Sequence, residues 1–578
     1  MNETKPAFII NKYRSILFAA IIVEAVGFIV SLTDSVVAGL FLGEETFAAV
    51  GLMSPFLSAS TFLTSIINTG TVLNFSFQVG KFNKKRANEF FSQGVITALA
   101  TGAIYALVLL MVSRPLIDGI APSEEIRQNL SEYFYFFLPF FFLQPIACVL
   151  DNLLFADGAE HLSAAANTIM IVSNVVFSVL FANLWGIKGI AIASVLSRVL
   201  FIMIISLHFF SRKNTLKFVF HWKKADLFII FKSGIVKAST YALDAILIYI
   251  INQFAAFYFD INTLLILLVV ERFMGIMTLF IGLSMGIQPI LSTLQGENNT
   301  KAQRFLVLAA VRDMIIVGGI ITLLTFFLSS QFVIAFGIEE DSVLYSQAVI
   351  ALRIVSSTVI IQAVLTFFFI YYVYIDKKAL AFVICLIKNF ISPVVIAVLL
   401  AVILGSNAGI WIGLASAPIL ALLISVLIVY LKYGRKQFPF LIKEDPDQEI
   451  FIYDFDINED NVVKLAATVQ DRMNQLSFPA NTEVMAGLIT EEVLMLILDK
   501  NEETKKTIRA ECTLLSRPDG IMLILRDSGV IFDFTETDVH VDSFRQYIVS
   551  TLMMKQELKL YLTTTGYNRN EFFFKRTN

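Results

Sequence analysis

Charge is what this chain has least of. Asp, Glu, Lys and Arg make up 16% of its 578 residues, where a soluble domain carries about 25%. Hydrophobic residues reach 57% and the mean hydropathy is +0.75, so an ordinary soluble protein is excluded for most of the length. Cysteine is also scarce. Cys148, Cys385 and Cys512 are too few and too scattered for a disulfide frame or a thiolate metal site, and the four histidines form no cluster with metal-ligand spacing. No cleavable signal is evident, because the first apolar run is too long and lacks a small-residue cleavage site. The net charge of −3 selects no partner, and no nucleic-acid partner is expected.

What remains is apolar sequence in runs long enough to cross a bilayer. Twelve spans are predicted, at 15–42, 47–79, 90–113, 129–156, 161–184, 187–210, 227–258, 261–294, 304–329, 341–374, 379–404 and 408–431. After about Lys432 charges spread through the chain, as in KEDPDQEIFIYDFDINED. The expected fold is a polytopic α-helical membrane protein of twelve transmembrane helices in two six-helix lobes, followed by a cytoplasmic α/β sandwich. The expected divisions are 1–220 for the first lobe, 221–435 for the second, 436–448 for a basic, proline-punctuated linker and 449–578 for the sandwich.

Loop charges alternate along the spans. Lys5, Lys12 and Arg14 come first, then the acidic GEE. Basic loops around Lys84–Arg86, Lys223–Lys224, Lys377–Lys378 and Lys432–Lys436 alternate with acidic ones at Glu124–Glu125 and Glu339–Asp341. The positive-inside rule places both termini in the cytoplasm of what reads as a bacterial plasma membrane. The chain also repeats. VGKFNKKRANEFF, from Val79, matches LQGENNTKAQRFL, from Leu294, with Gly80 and Gly296 equivalent; two further loops recur at a similar offset. Two halves of six spans each share one orientation, related by an axis along the membrane normal. That is the plan of a transporter with a cleft between two lobes.

Within FIVSLTDSVVAGLFLG the single charge is Asp34. A charge at the bilayer centre costs about 2.5–3.5 kcal/mol on insertion scales. Glu24, Gly27, Ser31, Asp34 and Ala38 share one helix face, polar or small, which should look into the bundle. A buried carboxylate that is empty, protonated or cation-bound in turn is what an ion-coupled pump requires. The alternative is a carboxylate held by neighbouring hydroxyls for packing alone.

LTDSVVAGLFLGEETFAAVGLMSP resembles the first-helix signature of the MATE (multidrug and toxic compound extrusion) family. DNLLFADGAEHLSAAANTIMIVSN, GIKGIAIASVLS and GLSMGIQPILSTLQGENN resemble its later segments in the right order. The resemblance covers about 15–435 and implies cation-driven efflux of amphipathic, cationic compounds. It also implies a first-lobe cation site. Asp34 matches the family's helix-one aspartate and Asn174 its helix-five asparagine, while Ser178 stands where a second aspartate is expected and Ser194 replaces a threonine. The lost carboxylate weakens a sodium site, since hard cations want several oxygens and gain from charge, and leaves proton coupling through Asp34. In the second lobe Asp244 and Glu271 are candidates; Lys388 is a possible neutraliser of Asp244, and Arg272 of Glu271. H+ or Na+ is the coupling ion, and no other cofactor is required.

From residue 449 the sequence predicts a strand (EIFIYDFDI), two helices (NVVKLAATVQDRMNQL and TEVMAGLITEEVLMLILDK) and a hairpin (IRAECTLLS and IMLILRDSG). A helix (DSFRQYIVSTLMM) and a last hairpin, LKLYLTT and EFFFKR around the turn GYNRN, complete it. The order resembles the GHKL ATPase fold of anti-sigma-factor kinases. Its Glu-Glu-x-x-x-Asn motif appears as Glu491, Glu492 and then Leu496 in place of the magnesium-binding Asn. Its adenine-reading Asp-x-Gly survives as Asp527-Ser528-Gly529, backed by Phe532. A phosphate lid needs close backbone amides and hence glycine; DVHVDSFRQYIV has none. The domain is therefore expected to be degenerate and not an enzyme, with a regulatory role or a cytoplasmic protein partner, and with Glu492, Asp527 and Gly529 as the residues that any residual nucleotide binding would use.

Three functions stay open: an efflux antiporter, a flippase for lipid-linked sugars, and a membrane sensor that does not transport. Cationic side chains such as Arg198, Arg353 and Lys388 in the cleft would suit lipid-linked diphosphates; Asp34 and Asp244 suit cationic compounds.

Overall fold

The computed structural model describes residues 1–81, 83–120, 124–211, 214–275, 278–335, 340, 343–434, 438, 449–502, 507–530 and 567–576. The first lobe contains α1 (Ala7–Leu42), α2 (Glu44–Gly51), α3 (Ser54–Gly80), α4 (Lys84–Ile120), α5 (Glu124–Ala156), α6 (Glu160–Trp185) and α7 (Ile187–Ser206). The second contains α8 (Lys224–Tyr258), α9 (Ile261–Met274), α10 (Thr278–Glu297), α11 (Thr300–Ala335), α12 (Val343–Ser356), α13 (Val359–Tyr374), α14 (Lys378–Leu386), α15 (Ser392–Leu404) and α16 (Ala408–Tyr433).

Among the described residues, nine helices are long and apolar enough to cross a membrane, or ten if α12 and α13, bent by 44°, count as one span. The tenth expected span is thus broken: Ser357 and Thr358 interrupt it, and their hydroxyls bond back to the carbonyls of Ile354 and Val355, a competition that loosens a helix. The eleventh is helical throughout but widens to a π-turn at Ile387–Ile391. Helix α1, and the pair α9 and α10, lie where the first and eighth spans were expected.

The lobes meet closely near one end of the bundle. A Cβ on Gly70 would lie 2.0 Å from the Ile230 carbonyl oxygen, and one on Gly234 1.7 Å from that of Ile66. Gly80 and Gly296, equivalent in the repeat, pack on each other: a Cβ on Gly296 would come within 2.7 Å of Gly80 Cα. Only glycine permits backbones this near. Gly70 and Gly234 each lie ten residues from a helix terminus at that end, so these contacts extend about 15 Å along the helix axes from it.

The C-terminal part forms an antiparallel sheet in the order β1 (Ile450–Asp456), β2 (Arg509–Arg517), β3 (Gly520–Asp527), β4 (Asn568–Lys575). Helices α17 (Glu459–Gln475) and α18 (Ala480–Asn501) pack on one face. Asn458 caps α17 by accepting from the Asn461 amide at 2.9 Å. The expected turn GYNRN is corrected in part: Asn568, Arg569 and Asn570 already belong to β4, paired with Asp527, Arg526 and Leu525. The expected helix at 542–554, the strand LKLYLTT, Phe532 and most of the linker lie outside the described residues.

Candidate functional site

Asp34 is buried in α1. Three other helices converge on it. Ser194 Oγ on α7 donates to Oδ2 at 2.6 Å and the Tyr133 hydroxyl on α5 at 2.8 Å. Ser178 Oγ on α6 donates to Oδ1 at 3.4 Å. Asn174, one turn before Ser178, donates Nδ2 to Ser194 Oγ at 3.0 Å, while its Oδ1 is buried without a hydrogen-bond partner. The structure therefore gathers Asp34, Asn174, Ser178 and Ser194. The carboxylate is held by neutral donors, and an unpaired amide oxygen stands in the same cluster. Such a group of oxygens accepts a proton or a small cation without rebuilding its frame. Ala38, one turn beyond Asp34, is fully buried, as the polar face requires; the side chains of Glu24, Gly27 and Ser31 lie outside the description.

Tyr133 escaped the sequence reading because YFYFFLPFFF offers no contrast from which to single out one ring. Asn167 shares the buried face of α6 with Asn174 but turns elsewhere. It donates to Asp151 Oδ2 at 3.3 Å, and Ser163 donates to the other oxygen of that carboxylate. Asp151, like Asp157 and Glu160, is a further buried acid on this side of the chain. Arg198 is half-buried there, stacked 4.9 Å from the Phe140 ring centroid and 5.6 Å from that of Phe201.

In the second lobe Asp244 and Glu271 line one cavity of about 320 Å³, with Lys237 and Lys388. Its walls are largely apolar, including Leu247, Ile251 and Phe369. The π-turn of Ile387–Ile391 carries Lys388, whose Nζ donates to Asn389 Oδ1 at 2.7 Å. Such a turn re-aims side chains that a regular helix would place elsewhere. Asn252 approaches Glu271 at 3.5 Å; the side chain of Arg272 lies outside the description. Among the described residues no group of three or more His, Cys, Asp or Glu side chains is placed to hold a metal.

In the sheet domain, Leu496 is buried in the core beneath the sheet, and Glu492 sits on the same helix. Asp527 is buried at the end of β3. Its Oδ1 accepts from the Gly529 amide at 2.9 Å and from Asn568 Nδ2 at 2.8 Å, and Asn501 Oδ1 accepts from the Val530 amide at 2.8 Å. The Asp-Ser-Gly turn is thus fastened by two asparagines. Burial raises the Asp527 carboxyl to about 6, against the pull of the Asn568 and Gly529 hydrogen bonds. A raised carboxyl means that the folded state holds its proton more tightly than the unfolded state. Stability from this group is therefore present at low pH and is lost as pH rises from about 4 through about 6. Asp527→Asn should remove that loss and stabilise the domain by about 1–3 kcal/mol at neutral pH. Labelling of the buried Cys512 thiol in the full chain measures it: the wild-type to variant rate ratio should rise about tenfold or more between pH 5 and pH 7, and a constant ratio would refute it.

The bundle defines a class: long apolar helices, nine or ten of them long enough to cross a membrane among the described residues, packed around buried polar groups. Residues 19–180 match the family model MatE. The fold is shared with solved MATE structures. A multidrug resistance MATE family transporter of the MOP superfamily, in its outward-facing conformation, superposes with a TM-score of 0.68 at 17% identity, over 75% of this chain and 98% of that one. A MATE protein in complex with MaD5 gives 0.67 at 17% identity over the same shares. A MOP superfamily transporter from Pyrococcus furiosus, reported to have a binding pocket of reverse polarity, gives 0.68 at 18% identity over 77% of this chain and 100% of that one. Compared with curated protein sequences, the chain finds no match.

Proposed function

We propose that this chain is a secondary-active efflux antiporter of twelve spans that exchanges H+ or Na+ for amphipathic organic compounds, cationic ones above all. The observation that carries the reading is the Asp34 cluster: a lone buried carboxylate held by the hydroxyls of Tyr133, Ser178 and Ser194. With one carboxylate in the cluster among the described residues, a proton is the better-suited ion, because it needs no further charged ligand. The second-lobe cavity supports binding of amphipathic compounds, with apolar walls for the body and Asp244 and Glu271 for a cationic end. Lys237 and Lys388 in the same cavity favour a second reading, a flippase for lipids with anionic head groups.

In this reading the sheet domain is regulatory and not an ATPase; Leu496, an apolar side chain in its core, cannot ligate magnesium. Dye-loaded vesicles under imposed proton or sodium gradients test the whole. Efflux should follow a gradient without ATP. Efflux that requires ATP after the gradients are collapsed, or movement of a lipid-linked diphosphate in place of the dye, would sink the antiporter reading.

Both termini are assigned to the cytoplasm of a bacterial plasma membrane, on the loop charges. Glu340 is exposed and falls on the opposite side. A cysteine placed there should react with an impermeant maleimide in intact cells; reaction only after permeabilisation would reverse the topology.

A further inference from the structure

The sheet is covered on both faces. Along β3, Ile521, Leu523 and Leu525 point into the core formed with α17 and α18. Met522 and Ile524 point the other way, into a core continuous with the helical lobes. Arg526 follows on that second face, and Arg569 sits opposite it on β4. Both are fully buried, and their partners belong to both lobes. Arg526 Nη2 lies 2.5 Å from Glu297 Oε2 at the end of α10, and Nη1 lies 2.6 Å from Glu511 Oε1 on β2. Arg569 bridges the lobes by itself. Its Nη1 donates to the Val79 carbonyl at 3.1 Å and its Nη2 to the Gly80 carbonyl at 3.2 Å, at the end of α3; its Nε lies 3.0 Å from Glu297 Oε1. A guanidinium there satisfies carbonyls that the end of a helix leaves without partners and meets the negative end of its dipole.

These contacts fall where Gly80 and Gly296 touch. Around them the sheet domain holds α10 a second time and α11 as well. Arg517 Nη2 donates to the Glu297 carbonyl at 2.8 Å, and Lys301 Nζ on α11 to the Ile450 carbonyl at 2.9 Å. The segment before α1 lies along β1: the Thr4 amide donates to the Ile452 carbonyl at 2.8 Å, and the Asp454 amide donates to Thr4 Oγ1 at 2.7 Å.

We propose that the sheet domain is a clamp across the two lobes. It holds the ends of α3 and α10 together through Arg569, Arg526 and Glu297, and the lobes part at that end only when this cluster comes apart. Parting strands charges on both sides, since Arg569 binds the carbonyls of one lobe and the carboxylate of the other. Burial lowers the Arg569 pKa against the pull of Glu297 and Glu571, so those carboxylates offset part of the cost of burying this charge. The clamp goes beyond the antiporter reading, and it stands or falls on lobe separation without reference to ion or substrate.

Spin labels on Lys85 in α4 and Arg304 in α11, both exposed, report that separation in the full chain with Cys148, Cys385 and Cys512 replaced by alanine. The intact clamp should give one short distance distribution. Arg569→Met cuts the clamp from the sheet side and Glu297→Gln from the second lobe. In each, the population of separated lobes should rise about tenfold or more. Amide exchange in β2 and β3 checks that the sheet remains folded, and Glu297→Gln, which leaves the sheet's own residues unchanged, carries the test if Arg569→Met does not fold. Lobes that keep the short distance in a variant with a folded sheet would overturn the clamp and leave a domain that merely rides on the closed end.

Discussion

Asp34→Asn inserts and folds but loses gradient-driven efflux. The substitution changes no volume, and the groups that hold the carboxylate adapt. Ser194, Tyr133 and Ser178 donate to it now, and a hydroxyl can turn to accept from the new amide. What the amide cannot do is bind and release a proton or balance a cation. The efflux rate under an imposed gradient should fall at least tenfold, about 1.4 kcal/mol or more of lost coupling, while substrate-dependent thermal stabilisation in detergent persists. Tyr133→Phe removes one donor and leaves the carboxylate, so efflux should continue with an altered dependence on pH. Wild-type efflux by the Asn variant would remove Asp34 from the mechanism.

The second large effect is expected at Arg526. Burial works against its charge, yet Glu297 and Glu511 more than reverse this and hold its pKa above the ordinary arginine value. Among the described residues, Arg526→Met leaves the fully buried Glu511 with Thr513 as its side-chain hydrogen-bond partner, 3.3 Å away, and leaves Glu297 paired with Arg569. Removing one partner of a buried ion pair costs about 3–5 kcal/mol. Opening of the sheet, read from the labelling rate of Cys512 on β2, should accelerate on the order of 100-fold or more. Adding Glu511→Gln should recover part of the loss, because the stranded charge is then gone; equal rates in the single and double variants would refute the stranded-charge account. Arg526→Lys should also fail in part, since an ammonium cannot serve Glu297, Glu511 and Thr513 with a planar fork.

Much of the bundle was legible in composition. Runs of apolar residues leave little choice but helices, because backbone polar groups in lipid must be satisfied within the segment. The offset between Gly80 and Gly296 was visible in the sequence, and the two glycines touch in the structure. Breaks within spans were harder to read: the 44° bend between α12 and α13 has no proline or glycine to mark it, and the π-turn at Lys388 is followed by Pro393, whose missing N–H leaves the Asn389 carbonyl without its helical donor but does not by itself distinguish a π-turn from a kink. In the sheet domain the strands of the first hairpin were read correctly. The start of β4 was missed because Asn568, Arg569 and Asn570 have the composition of a turn.

By itself, then, the sequence determined that most of this chain is apolar helix long enough to cross a membrane, followed by a mixed, charge-bearing tail, because apolar length and charge distribution are properties of the chain read in order. It also singled out Asp34, since one carboxylate in an apolar run is conspicuous. Only the tertiary structure decided what each charge meets. Tyr133 joins Asp34 from 99 positions away. Arg526 reaches Glu297 across 229 and Arg569 reaches Val79 across 490. Hydrogen bonds and ion pairs act over a few ångströms in space, and nothing in local periodicity records which distant segments the packing of helices will bring within that range.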